Sequence, residues 1–305
     1  MCMTRNGRTL KSWADEVNGK PNPNRAHCIN DGATLEAGEG FALCLPEAGD
    51  RPRYICSECM RRLERKLRYH ANACERSADD EPLGTPKKGS LEHTTIGIEI
   101  EHVSNRFSEK SFYTFKYLIE RAFNVKEEDD CSVSGEFPTD KMEGGNKSSK
   151  MIRKLEKYGF FKFLDNPRTG AHIHVECTCI EFVRNWYNTL FVPLCRWLAG
   201  HSEEWLIERF GSAFRDYAEE INERTDCGIH SNFVNTQHNH TLEFRLPRMR
   251  TAEQYVTCIY FWRKVVWTLN QTAWIEKTEN NRAERKAQAV EIANQILKIA
   301  IEFFE

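Results

Sequence analysis

Three short segments constrain this chain more than any other feature: Gly97–Glu101 (GIEIE), Ala171–Glu176 (AHIHVE) and Leu242–Arg245 (LEFR). Each alternates polar and apolar residues with a period of two, and residues two apart in a strand point to the same side. Glu99 and Glu101 therefore share a face, with Ile98 and Ile100 behind them. His172 and His174 share a face that Glu176 continues, and Glu243 shares one with Arg245, while Leu242, Phe244 and Leu246 turn to the core. A half-buried sheet with one wet side gives the same alternation, so period alone does not decide. Residue choice adds to it. A solvated strand face mixes Lys, Thr, Ser and Glu, whereas this one carries paired carboxylates, paired imidazoles and a Glu/Arg pair. Like charges on neighbouring positions repel and need cations to offset them. Mg2+ (or Mn2+) held through carboxylate and phosphate oxygens fits that inventory, and an arginine beside it would stabilise charge on a transferring phosphoryl group.

The rest of the chain frames these strands. Strands are expected over Thr94–Val103, Ala171–Cys179 and Thr241–Leu246, and Asp129–Thr139 reads as a turn entering a short strand that presents Glu136. Ser108 is placed to cap a helix with Phe112, Phe115, Leu118, Ile119 and Phe123 on one face. Further helices are expected over Lys150–Lys157, Phe182–Ala199, Ser202–Phe210, Ala252–Asn270 and Arg282–Phe304. The aromatic stripe of Tyr255, Phe261, Trp262 and Trp267 reads as core. Interspersed strands and helices with these connections favour an α+β fold, an antiparallel sheet covered by helices. Between the second and third strands lie Arg209, Arg215, Tyr217, Arg224 and His230, of which Arg209 and Arg215 read as solvated helix residues, and His238 and His240, flanking Asn239 in a turn, carry no assigned role.

In this order the segments resemble the amidoligase family, relatives of glutamine synthetase and glutamate–cysteine ligase. The resemblance covers about residues 94–265 and rests on GIEIE, on Asp130/Ser132/Gly135/Glu136, on Thr169–Val175 (TGAHIHV) and on Thr241–Arg245 (TLEFR). It implies a curved antiparallel sheet of the glutamine synthetase type whose concave face holds ATP and metal ions. It also implies the reaction: the γ-phosphoryl group of ATP passes to a carboxylate, then an amine displaces phosphate from the acyl phosphate and leaves an amide or isopeptide bond. Carried over by residue, it implies Glu99, Glu101, Glu136 and Glu243 as magnesium ligands. His172 would be a further metal or phosphate contact with His174 beside it, and Arg245 would lie on the transferring phosphate. An Arg or Tyr between the second and third strands would meet a substrate carboxylate or phosphate, against which stands the solvated reading of Arg209 and Arg215. The substrates would be a carboxylate and an amine, carried by small molecules, peptides or proteins. Cys131 stands where the family commonly has Gly, which weakens a role for Asp130 but not the metal site. No P-loop-type glycine-rich phosphate loop is present. The same acids and histidines also suit a metal-dependent hydrolase or phosphotransferase, and a non-catalytic relative would bind through the cysteine-rich region instead.

That region lies early. Of twelve cysteines, six precede residue 80, and Cys28, Cys44, Cys56, Cys59 and Cys74 crowd between 28 and 74. Cys28–Gly32 (CINDG) and Cys56–Cys59 (CSEC) read as two zinc knuckles, the first with Asp31 where a second Cys is usual. Cys28, Cys56 and Cys59 would be ligands, with Asp31, Cys44 or His27 as the fourth; a rival grouping of Cys56, Cys59, His70 and Cys74 would be held apart by a continuous helix. The expected organisation is a poorly ordered segment 1–25, a zinc module over 26–74, a polar linker over 75–92 and the main domain over 93–305. Arg61, Arg62, Arg65, Lys66 and Arg68 give the helix over 61–68 the charge to touch nucleic acid, though a solvated helix accounts for it equally. The net charge of −2 argues against wholesale nucleic-acid coating. No apolar run approaches the ~18 residues of a membrane span, and the first residues lack a secretory signal. The cysteines are then expected as reduced thiols or metal ligands in the cytoplasm.

Overall fold

A computed structural model of the chain describes residues 26–36, 39–44, 52–59, 61–62, 95–102, 135–138 and 142–143. It also describes, with short interruptions, 145–222, 231–272 and 282–305, and a few positions between 112 and 127. The segment 1–25, the linker 75–92, the basic helix beyond Arg62 and the turn before Gly135 lie outside these residues. So do His70, Cys74, Ser108, Tyr217, Arg224 and His230.

Two small antiparallel hairpins come first: β1 (Ala26–His27) with β2 (Thr34–Leu35), and β3 (Phe41–Cys44) with β4 (Pro52–Ile55). A six-stranded sheet follows, antiparallel throughout, so the chain is α+β. Its strands are β5 (Thr95–His102), β6 (Gly135–Pro138), β7 (Met142–Glu143), β8 (Ala171–Glu176), β9 (Val234–Asn235) and β10 (Thr241–Phe244). Their order is β6-β5-β8-β10-β9. The eight residues of β5 serve two neighbours on one edge: Thr95 and Ile96 pair with β7, and Glu99–His102 with β6.

The helices are α1 (Gly145–Lys157), α2 (Ile180–Asn185), α3 (Tyr187–Ala199), α4 (Glu203–Phe210), α5 (Ala252–Thr272) and α6 (Arg282–Phe304). The apolar residues of the three central strands, including Ile98, Ile173, Leu242 and Phe244, are fully buried. On β10, Trp262 of α5 stacks on Phe244 with ring centroids 4.9 Å apart and donates Nε1–H to Leu242 O at 3.1 Å. Such an aromatic pair contributes about 1 kcal/mol beyond its burial. Helix α6 packs on α3 and α5 as an outer layer. Among the described residues no helix is long and apolar enough to cross a membrane.

Several boundaries differ from the sequence pattern: α1 begins at Gly145 rather than Lys150, β10 ends at Phe244 rather than Leu246, and two further differences have a tertiary reason. The single helix expected over Phe182–Ala199 is broken at Trp186, which leaves helical dihedrals (φ −121°, ψ 20°). The following helix is tied to β9 through Tyr187, whose hydroxyl donates to Val234 O. The strand expected to reach Cys179 stops at Glu176 because Asn270 of α5 captures the departing chain. Its Oδ1 accepts from Thr178 N at 2.9 Å and its Nδ2 donates to Glu176 O at 2.9 Å.

Candidate functional site

Strand register brings the polar residues together. Glu99 lies opposite His172, Glu101 opposite Glu136, and one rung crosses the sheet as Gly97, His174, Glu243 and Asn235. Gly97 has no side chain to crowd His174 across that rung, and both line the same cavity. His172 is the hub. Its Nδ1 lies 2.9 Å from Glu99 Oε2 and 3.2 Å from Glu243 Oε1, and its Nε2 lies 3.5 Å from Glu101 Oε1. His174 Nε2 lies 3.0 Å from Glu99 Oε1. Arg245 Nη1 donates to Glu243 Oε1, and the Gly170 amide donates to Glu101 Oε2.

This face is not a wet sheet surface. Glu243 is 1 % exposed, His172 4 % and Arg245 5 %, and Glu101 is also buried. Buried carboxylates cost several kcal/mol each unless compensated, and here the compensation is on the same strands. Burial works to raise the Glu99 carboxyl, but hydrogen bonds and charge from His172 and His174 overcome it and hold the group well below the usual carboxylate range. Glu243 behaves alike: burial opposes its charge, yet the hydrogen bond from His238 and the charges of His172, His174 and Arg245 lower it to about 2.

Three participants were given no place in the site by the sequence pattern. His238 Nε2 lies 3.0 Å from Glu243 Oε2, and Asn235 Nδ2 donates to the same oxygen at 2.7 Å. A hairpin between β9 and β10 was the available signal, since it folds residues 235–238 back over Glu243. Arg215 is the third, and it is no solvated helix residue. It follows α4 in a loop, and its Nη1 donates to Thr169 O at 3.1 Å. Burial and the nearby Arg248 and Arg245 charges lower Arg215 to about 10, against the pull of Glu101. Gly170 makes this approach possible, because a Cβ there would fall 2.6 Å from His172 Nε2 and 3.2 Å from Arg215 Nη2. Arg209, in contrast, is structural: its Nε donates to Phe304 O at 3.0 Å and its guanidinium lies over Trp205. A cavity of about 240 Å³ opens beside the cluster, lined by Gly97, Glu99, His174, Glu176, His238 and His240.

The cysteine region forms a second cluster. Ligand atoms of Cys28, Asp31, Cys56 and Cys59 all lie within 4.8 Å of one another, a group able to hold a metal ion. The CINDG turn closes by Gly32 N to Cys28 O and Cys28 N to Ala33 O, both 2.9 Å, with Gly32 in the left-handed region (φ 74°). Sulfur-directed donors surround it: Cys59 N to Cys56 Sγ and Asn30 Nδ2 to Cys59 Sγ, both 3.2 Å. The thiol of Cys59 donates to Asp31 Oδ2 at 2.8 Å. That bond, with the Ala33 amide, holds Asp31 well below the usual carboxylate range and pushes Cys59 up to about 12. Asp31 thus joins the group that His27 does not; the Cys44 side chain lies outside the described residues.

Comparison of the chain with protein-family models and with curated proteins found no match.

Proposed function

We propose that the sheet carries the active site of an ATP-dependent carboxylate–amine ligase. One observation carries this reading: Glu99, Glu101 and Glu243, from two different strands, all lie within 3.5 Å of the buried His172. With the amidoligase-like order of motifs, a sheet of the glutamine synthetase type is part of the same proposal. The donor set suits a hard divalent ion, being mostly carboxylate oxygen. Glu99, Glu101, Glu136 and Glu243 would hold Mg2+, which supplies charge neutralisation for ATP phosphates. Arg245, fixed by Glu243, and Arg215, fixed by Thr169 O, supply cationic donors beside it. Phosphoryl transfer asks chiefly for positioning and charge compensation, which preorganised buried groups provide without reorganising. His172 orients the carboxylates, and the adjoining cavity offers room for the carboxylate and amine substrates. In the same reading the cysteine cluster is a structural zinc module in a reducing, cytoplasmic setting; the described cysteines are free thiols.

A second reading, a metal-dependent hydrolase or phosphotransferase, draws on the imidazole-rich side of the site, where His174 and His238 meet Glu243. The test supplies full-length protein with ATP, Mg2+ and pools of amines and carboxylates, then follows ADP and mass increments. Amide-sized adducts with ADP release that vanish in Glu99→Gln support the ligase. Absence of ATP binding with Mg2+ present overturns it and favours the hydrolase.

A further inference from the structure

We propose that His174, His238 and Glu243 hold a divalent transition-metal ion of their own, beside the pocket of Glu99 and His172, so that Glu243 bridges two ions. The inference does not rest on the ligase reading, since either chemistry can use a paired-metal centre.

The two oxygens of Glu243 face different partners. Oε1 lies 3.2 Å from His172 Nδ1, on the Glu99 side, and Oε2 lies 3.0 Å from His238 Nε2. Within each triad, Glu99/His172/Glu243 and His174/His238/Glu243, the ligand atoms lie within 4.8 Å of one another. Arg245 donates to Oε1 and Asn235 to Oε2. Each carboxylate oxygen has two lone-pair sites, so one donor apiece leaves a second for a metal. Those two donors also fix the carboxylate plane, as partners of metal-ligating groups commonly do.

The second triad differs from the first in chemistry and access. Two imidazoles and one carboxylate suit Zn2+ or Co2+ rather than Mg2+. The rings of His174 and His238 meet edge to face, centroids 4.9 Å apart at 77°. Both line the 240 Å³ cavity, and the His238 side chain is 43 % exposed. With two of its three protein ligands on an open cavity and Glu243 buried behind them, the site leaves a coordination position for water or substrate, the arrangement of catalytic rather than structural sites. Carboxylate-bridged pairs hold their ions about 3.5–4 Å apart and clamp both oxygens of a displacement.

Co2+ distinguishes the sites, because thiolate ligation adds a charge-transfer band that nitrogen and oxygen ligands do not. Chelator-stripped full-length protein is titrated with Co2+, and equivalents bound without that band are counted. Two are expected for the wild type, one for His238→Ala, one for His174→Gln and one for Glu99→Gln, with unchanged far-ultraviolet circular dichroism. A single non-thiolate equivalent in the wild type overturns the proposal. So does retention of two in His238→Ala and His174→Gln, or loss of both in either.

Discussion

The two clusters of ligand residues solve the same problem from opposite ends. In the cysteine cluster the ligands sit on two turns beside hairpins of two to four residues per strand, and a thiol proton bridges Cys59 and Asp31. In the sheet they sit on strands whose register is fixed by a large core, and the carboxylates are already ionised beside imidazoles and arginines. A cation entering the first must displace protons and can become the glue of a region too small for a deep core. A cation entering the second finds a charge pattern that the fold has already assembled. Metal would make the first region; the fold makes the second.

The largest effect that would break this contrast comes from Glu243→Gln. Turnover should fall about 10³-fold, and Co2+ binding in the sheet should be lost, while the thiolate charge-transfer band stays intact. Disappearance of that band would mean the regions are not independent. Next in size, Cys59→Ser should weaken metal binding at the cysteine cluster at least ~100-fold and melt its hairpins, read as added protease sensitivity near residue 60. Turnover at the sheet should change less than about twofold.

Acid and base sharpen the comparison. Because Cys59 is held protonated up to about 12 in the metal-free state, zinc binding there releases protons, and affinity should rise about tenfold per pH unit for each proton released. Zinc competition between pH 6 and 8 measures it. The sheet responds at the other end of the scale. Glu243 is lowered from 4.5 to about 2, so its stabilising contribution is complete above pH 4.5 and is lost as pH falls towards 2. Denaturant melts followed by circular dichroism should show stability falling within that window. The smallest effects form a matched pair. Asn30→Ala removes the donor to Cys59 Sγ, and Asn235→Ala removes the donor to Glu243 Oε2. Each should weaken its own metal about tenfold and leave the other unchanged, by calorimetry.

Sidedness was legible in the sequence, because a period of two fixes which residues share a face whatever surrounds them. It puts Glu99 with Glu101, His172 with His174 and Glu243 with Arg245, and the register of β5, β8 and β10 then brings the three pairs together. Their burial was not legible. Asn235 and His238 reach the face by the fold-back of the β9–β10 hairpin, and Arg215 reaches it through a long-range contact to Thr169 O, none of them marked by a local period. Long helices such as Arg282–Phe304 were read to the residue, whereas the break at Trp186 and the end of β8 depend on hydrogen bonds to Val234 and Asn270. Choosing Asp31 over His27 needed three dimensions as well: His27 and Cys28 are consecutive in extended chain and point to opposite sides.

Helix α5 touches the ligand strands at two points: Trp262 binds Leu242 O on β10 and Asn270 binds Glu176 O on β8. Eight residues of helix separate them, about 12 Å at 1.5 Å per residue. The helix is thus a ruler laid across the back of the sheet, gauging how far the strand of His174 slides against the strand of Glu243. Lengthening the ruler by one residue would swing Asn270 through about 100°, release the end of β8 and put the rung of His174 and Glu243 out of step without changing either residue.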